Sequence, residues 1–302
     1  MSVLAITGGT GFVGATLIDL ALARGYQVRA LTRRPQPPRS GIVWIEGALD
    51  RPESLAKLVQ GCDAVIHVAG VINGSDEEFH LGNVVGTEKM IDAAAQAGIK
   101  RFIHVSSLAA REPGLSAYGR SKCASEESVI ASGGDWTIVR PPAIYGPRDR
   151  ELLELFRVAR LGVVPLPPGG HLSVIAVADL ARLLLDCIQK PASIARIFEP
   201  DDGRDGGWPH ADFVRLIGKA IGRKKILPLP IPQRLLRWGA SADGLIRRGG
   251  AKLTPDRVAY FCHPDWTASP ARRPPAELWA PEVETEQGLA ETAAWYRAEG
   301  WL

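Results

Sequence analysis

Short apolar runs alternate with stretches of helical periodicity through the first half of the chain. Val3 to Thr7 is an apolar run of strand length, and from Phe12 to Ala23 the apolar positions recur at helical spacing. The same alternation predicts strands at Gln27–Leu31, Ile42–Ile45, Ala64–Val68, Arg101–Val105 and Asp135–Val139. Between them it predicts a helix opened at Asp50-Arg51-Pro52 by the N-cap and first-turn proline pattern, a long helix over Glu78–Ala97, and another from Tyr118 to Ser132. Strands and helices in this order imply an α/β fold, a doubly wound parallel sheet with right-handed crossovers.

Beyond Tyr145-Gly146-Pro147 the rhythm changes. Helices are expected over Arg150–Leu161, Asp179–Gln189, Ala211–Ile221, Gln233–Arg248, Pro255–Phe261 and Glu286–Glu299, with a proline-rich stretch at Pro165–Gly170, an apolar run at Leu172–Val177 and a polar, glycine-rich loop at Asp201–Gly207. The expected organisation is a dinucleotide-binding domain over residues 1–170, rejoined by 171–200, and a smaller substrate lobe over 201–302.

The turn after the first strand carries Gly8, Gly9, Gly11 and Gly14. Glycine there supplies positive φ, lets backbone approach a pyrophosphate, and lets helix pack closely on strand, while the helix N-terminus offers free N–H donors to an anion. The spacing Gly8-x-x-Gly11-x-x-Gly14 is one residue wider at the front than the common dinucleotide fingerprint, so it leaves the choice of cofactor open. That choice falls to the end of the second strand, where an acidic residue would hold the ribose hydroxyls of NAD. Arg33 and Arg34 stand there instead, matched to a 2′-phosphate, so NADP is expected and NAD is the alternative. Ala69 and Gly70, at the end of the fourth strand, are small enough for a cofactor to lie close.

The fifth strand delivers Ser106 and Ser107 at its carboxyl end, the edge at which open α/β sheets bind ligands. Of the five tyrosines only Tyr118 has a lysine four residues on, Lys122, and that spacing puts both side chains on one helix face. A phenol is a poor acid–base group at neutral pH unless a neighbouring cation favours its anion. Ser107 can hold a substrate oxygen while Tyr118 exchanges the proton and Lys122 supplies the charge.

These residues lie in motifs that together make a resemblance. TGGTGFVG (7–14), DAVIHVAG (63–70), NVVGT (83–87), HVSS (104–107), YGRSK (118–122), RPPAIYGP (140–147), VADLA (177–181) and the tail GLAETAAWYRAEGWL are similar to the extended or atypical short-chain dehydrogenase/reductases, the NAD-dependent epimerase/dehydratase type, over nearly the whole chain. The resemblance implies Ser107, Tyr118 and Lys122 as the catalytic trio. It implies Thr7, Gly8, Gly11, Phe12, Val13 and Gly14 around the pyrophosphate, and Pro141 to Ala143 beside the nicotinamide. Ala48 stands where the family usually carries an acidic residue near the adenine, which shifts that contact to Leu49. Ala143 stands near the position of an asparagine common in nucleotide-sugar enzymes, a departure shared by branches that act on apolar substrates. Pro228–Trp266 is also similar to members resembling an accessory subunit of respiratory complex I.

Composition narrows the rest. A net charge of +3 on 302 residues, without a Lys/Arg block, gives no support to a nucleic-acid partner. Cys62, Cys123, Cys187 and Cys262 lie far apart, as in a reduced cytoplasm, and the histidines lack metal-ligand spacing, so no metal is expected. No leader or membrane-length apolar run is read, making a cytoplasmic protein with a small-molecule substrate the expectation. Pairing through the helices at Glu78–Ala97 and Tyr118–Ser132 is one route to a homodimer. An NADP-linked oxidoreductase of a hydroxyl or carbonyl, on a small and perhaps ring-bearing molecule, leads. A nucleotide-sugar epimerase/dehydratase and a non-catalytic NADP-binding sensor or assembly protein stand as alternatives. The last draws on Leu235, Leu236, Trp238, Leu245 and Ile246 among Arg234, Arg237, Arg247 and Arg248.

Overall fold

Five of the strands expected from the apolar runs, together with β1, line up in a single parallel sheet. In a computed structural model that describes residues 2–236, 238 and 255–302, with only the backbone at 255–257, they are β1 (Val3–Thr7), β2 (Gln27–Thr32), β3 (Ile42–Glu46), β4 (Ala64–His67), β5 (Arg101–Val105) and β6 (Asp135–Val139). A seventh strand, β11 (Arg196–Phe198), pairs parallel with β6, which gives the order β11-β6-β5-β4-β1-β2-β3. The order reverses between β1 and β4, and in open α/β sheets ligands bind in the crevice at that reversal.

Helices cover both faces. α1 (Phe12–Ala23) and α7 (Val177–Gln189) pack on one side over a core of Leu4, Ile6, Leu17, Ile18, Leu183 and Leu184. On the other side α2 (Pro52–Val59), α4 (Gly86–Gln96) and α5 (Ala117–Ala131) cover Ala5, Leu31, Val65 and Phe102. Two local expectations change. Asp50 does not cap α2: Arg51 is the N-cap residue without a side-chain bond, Pro52 opens the helix, and the Ser54 hydroxyl donates back to the Arg51 carbonyl at 2.8 Å. The expected long helix begins earlier, at α3 (Asp76–Phe79) with a Ser75–Glu78 capping box, and passes through a π-helical stretch, His80–Val85, before becoming α4.

The second core joins distant segments. Tyr145 of β7 (Ala143–Tyr145), Phe156 of α6 (Leu153–Ala159) and Val164 of β8 (Val163–Leu166) pack with Phe213 and Ile217 of α8 (His210–Ala220) and with Leu289, Ala293 and Tyr296 of α10 (Thr285–Ala298). Leu278 and Trp279 return to the sheet's own core, where the Trp279 indole N–H donates to the Asp179 carbonyl at 3.1 Å. β13 (Leu227–Pro230) runs parallel to β8, β10 (Val174–Ala176) runs parallel to β7, and β9 (His171–Leu172) lies between β12 (Trp208–Pro209) and β14 (Asp265–Trp266). Most of the helix expected over Gln233–Arg248 lies outside the described residues; Gln233–Leu236 and Trp238 are helical, and α9 (Pro255–Phe261) follows.

Candidate active site

The glycine turn sits where the sheet order reverses, and its geometry admits no larger residues. Gly8 has φ +71°, and a Cβ there would lie 2.8 Å from the Ala69 nitrogen, so the turns after β1 and β4 touch backbone to backbone. A Cβ on Gly14 would stand 2.1 Å from the Gly8 carbonyl oxygen. Gly11 closes the turn by donating to the Gly8 carbonyl at 3.0 Å and is the N-cap residue of α1, with no side chain capping the helix. The first-turn N–H groups of Phe12 and Val13 are therefore left without a side-chain cap, the arrangement that suits a helix N-terminus to anions. Such a backbone cradle fits a dinucleotide pyrophosphate. Gly14→Ala is expected to weaken NAD(P)H binding at least about tenfold by forcing the turn open, as titration of cofactor fluorescence would show; unchanged affinity would remove the loop from the site.

Thr7 holds the two strand ends in register. Its hydroxyl bonds the His67 Nδ1 at 2.8 Å and accepts from the Ala69 N–H at 3.1 Å, while His67 Nε2 meets the Thr87 hydroxyl at 3.1 Å. Burial holds His67 neutral, pushing its pKa down to about 3, so this clamp carries no charge. Arg33 and Arg34 are exposed at the end of β2, where the Thr32 hydroxyl donates to the Arg34 carbonyl at 2.6 Å and ties the turn; neither guanidinium has an ion pair among the described residues. Leu49 packs against the first turn of α4 at Gly86, the one place where a Cβ would meet it at 2.8 Å. Pro141 is buried after β6, its carbonyl accepting from the Leu108 N–H at 3.1 Å, and Ala143 opens β7.

Ser107, Tyr118 and Lys122 come together on the carboxyl edge beside this crevice. Ser107 leaves β5 in extended conformation and caps the short helix Leu108–Arg111. Ser116 caps α5 by accepting from the Gly119 N–H at 3.0 Å, and Gly119 lets α5 press on that short helix, since a Cβ would be 2.7 Å from the Ala109 carbonyl oxygen. The first turn of α5 thereby brings Tyr118 close enough to Ser107 for that hydroxyl to favour the phenolate. Burial raises the Tyr118 pKa and the nearby Ser107 hydroxyl works against that rise, so the phenol is held protonated. Lys122 is buried, donates to the Val105 carbonyl at 2.8 Å and lies near Gly70. Its pKa is pushed down to about 8 by burial, partly offset by Glu126. Desolvation is the largest influence on the Tyr118 phenol and sets the direction of its shift.

The sequence assigns no role to several further contributors. Asn83, in the π-helical stretch, accepts from the Val71 N–H at 2.6 Å and donates to the Ser121 hydroxyl at 2.9 Å, fastening the loop after β4 to α5. Such π segments recur at functional sites, where the extra residue re-aims a side chain. Phe79 packs on Tyr118 with ring centres 5.8 Å apart, and Tyr118 and Tyr260 both lie against the cluster of Leu108, Ala109 and Trp266. The phenol thus lies among apolar and aromatic side chains. Behind it, Arg140 joins Glu126 at 2.5 Å and Glu199 at 3.3 Å, Glu199 also meets Arg111 at 3.2 Å, and the Ser106 hydroxyl donates to Glu126.

Sheet order and glycine cradle define a dinucleotide-binding fold of the Rossmann type, and the comparisons with known proteins make it that of a nicotinamide-dependent enzyme. Residues 8–191 match the NAD(P)H-binding family, and the chain belongs to it, as an NAD(P)-dependent oxidoreductase or epimerase/dehydratase of the extended short-chain dehydrogenase/reductase type. Over 99% of its length it is 38% identical to a ceramide reductase of Caulobacter vibrioides, covering 96% of that protein. It is 29% identical to a 2-alkyl-3-oxoalkanoate reductase of Stenotrophomonas maltophilia, over 96% of this chain and 98% of the relative. Its fold matches that of a dTDP-glucose 4,6-dehydratase of Streptomyces venezuelae with NAD bound, at a TM-score of 0.72 and 20% identity over 100% of this chain and 98% of the other. Among the described residues no helix is long and apolar enough to cross a membrane, and no cluster of side chains could hold a metal ion.

Proposed function

We propose that the protein is an NADP-linked reductase of a ketone carried on an apolar, lipid-like molecule. The observation that carries this reading is the protonated Tyr118 beside Ser107, at the carboxyl edge of β5 and within a wall of Phe79, Tyr260 and Trp266. The relatives named for ceramide and for 2-alkyl-3-oxoalkanoate, both acyl-chain compounds, support the substrate class.

A bound nicotinamide supplies the hydride. Thr7, Gly8, Gly11, Phe12, Val13 and Gly14 would hold its pyrophosphate, Arg33 and Arg34 the 2′-phosphate, Leu49 the adenine side, and Ala69, Gly70, Pro141 and Ala143 the rest of the crevice. Ser107 donates a hydrogen bond to the substrate carbonyl oxygen and holds it in line with the phenol. Tyr118 gives that oxygen its proton, and the nearby Lys122 cation favours the phenolate left behind. The apolar rings exclude water from the reacting carbon.

Two measurements test the reading. NADPH oxidation across 3-oxo lipids, steroids and nucleotide sugars should show turnover with the apolar ketones; tight NADPH binding without turnover of any would favour the sensor or assembly role. Arg33→Ala with Arg34→Ala should weaken NADPH binding by about tenfold or more and NADH binding by less than about threefold, because only the former offers a 2′-phosphate to a forked, charge-assisted contact. Equal losses would reduce the pair to general positive charge.

A further inference from the structure

β8 and β13 carry an exposed apolar face bordered by cations, four of which have no ion pair among the described residues. β8 and β13 pair in parallel, setting Val163 beside Leu227 and Pro165 beside Leu229. Val164 points inward and is fully buried, so the alternate positions point out. The outward side is apolar throughout: Val163, Pro165, Leu227 and Leu229 are exposed, and Leu161 stands 76% exposed at its edge. The chain then leads on to Leu235 and to Trp238, itself 76% exposed.

The cations adjoin this face. Arg215, Lys219, Arg223, Lys224 and Lys225 line one open cavity of about 860 Å³ together with Leu227 and Gly162. Arg215 and Lys219 pair with Asp212 and Glu286, but Arg160, Arg223, Lys224 and Lys225 have no ion pair among the described residues, Arg223 donating instead to the Arg160 carbonyl. From Phe213 to Ala242 the sequence holds seven Lys and Arg and no Asp or Glu.

We propose that this face docks the protein on an anionic lipid bilayer, with Leu161, Val163, Leu227, Leu229, Leu235 and Trp238 entering the interface. Arg160, Arg223, Lys224 and Lys225 reach the headgroup phosphates. Apolar side chains flanked by free cations, with an exposed tryptophan, combine the two forces of interfacial binding: burial of apolar area and attraction to a negative surface. Strand addition by a protein partner is disfavoured, because Pro165, Pro228, Pro230 and Pro232 remove N–H donors from these strands and their continuation. The docking stands on these residues alone and does not depend on the substrate proposed above.

Co-sedimentation of the full chain with vesicles tests it. Binding is expected to vesicles of phosphatidylglycerol and phosphatidylcholine in equal parts, weakening with salt, and not to phosphatidylcholine alone. Lys224→Ala with Lys225→Ala should lower the affinity by about tenfold or more, and Leu161→Ser with Leu227→Ser by a similar factor, with NADPH binding unchanged in both as the check on folding. Should either variant fail that check, quenching of tryptophan fluorescence by brominated lipid in the unaltered protein, reduced in Trp238→Phe, decides in its place. Absence of binding to the anionic vesicles at low salt overturns the proposal. Equal binding to both vesicle types, or capture of an acidic soluble protein by the same residues without vesicle binding, does so too.

Discussion

Tyr118→Phe is expected to lower ketone turnover by about 10² to 10⁴-fold while NADPH affinity stays within about twofold. The substitution removes only the hydroxyl. The ring keeps its contact with Phe79, and α5 keeps its Ser116 cap and its close approach at Gly119. What goes is the proton donor, together with its interaction with Ser107. Because burial raises the phenol pKa, the donor is protonated throughout the neutral range, a state suited to reduction. The pH profile gives a second reading of the same site. Lys122, with its pKa pushed down to about 8, is charged at neutral pH and loses its proton as pH rises through that value, and with it the cation that favours phenolate. Reductive kcat/KM should therefore be level through neutral pH and fall above about 8. Retained turnover in Tyr118→Phe would end the assignment; a profile rising through the same range would give Lys122 a different part.

Arg140→Met should destabilise the fold by about 3–5 kcal/mol, read as a fall in Tm of roughly 6 °C or more. Arg140 spans two buried carboxylates, Glu126 of α5 and Glu199 just beyond β11, with side-chain exposures of 11%, 4% and 0%. Glu199 retains the Arg111 ion pair and the Ser269 N–H at 2.9 Å, whereas Glu126 keeps only the Ser106 hydroxyl bond and the longer-range attraction of Lys122. A buried carboxylate stripped of its guanidinium costs more than the pair contributed, so the expected loss is the cost of breaking rather than the worth of the bridge. Arg140→Met combined with Glu126→Gln should recover part of it by removing the orphaned charge. An unchanged Tm in the single variant would show that water reaches Glu126. Since Ser106 neighbours Ser107 and Glu126 lies one helical turn from Lys122, ketone turnover should also fall in the single variant, even where it remains folded.

Much of the cofactor half was legible in the chain. β1, α1, β5 and β6 have the bounds their apolar runs predict, and the other three expected strands differ by one residue at an end. The reason is that strand and helix periods, and a glycine forced by positive φ or backbone approach, are recorded within a few neighbouring residues. YGRSK likewise announced which side chains share a face of α5.

What the sequence by itself determined was therefore the strand–turn–helix units, the glycine cradle and the alignment of Tyr118 with Lys122. Only the tertiary structure decided that Arg140 would bridge Glu126 and Glu199, that Asn83 would tie the β4 loop to α5, and that Val163 would lie beside Leu227 to form an apolar face. It also decided the sign of the Tyr118 shift, because desolvation depends on what is packed around the phenol and not on its spacing from a lysine. These outcomes join residues far apart in the chain, where no local period records the partner, and each is settled by which surfaces must be buried together once the sheet has formed.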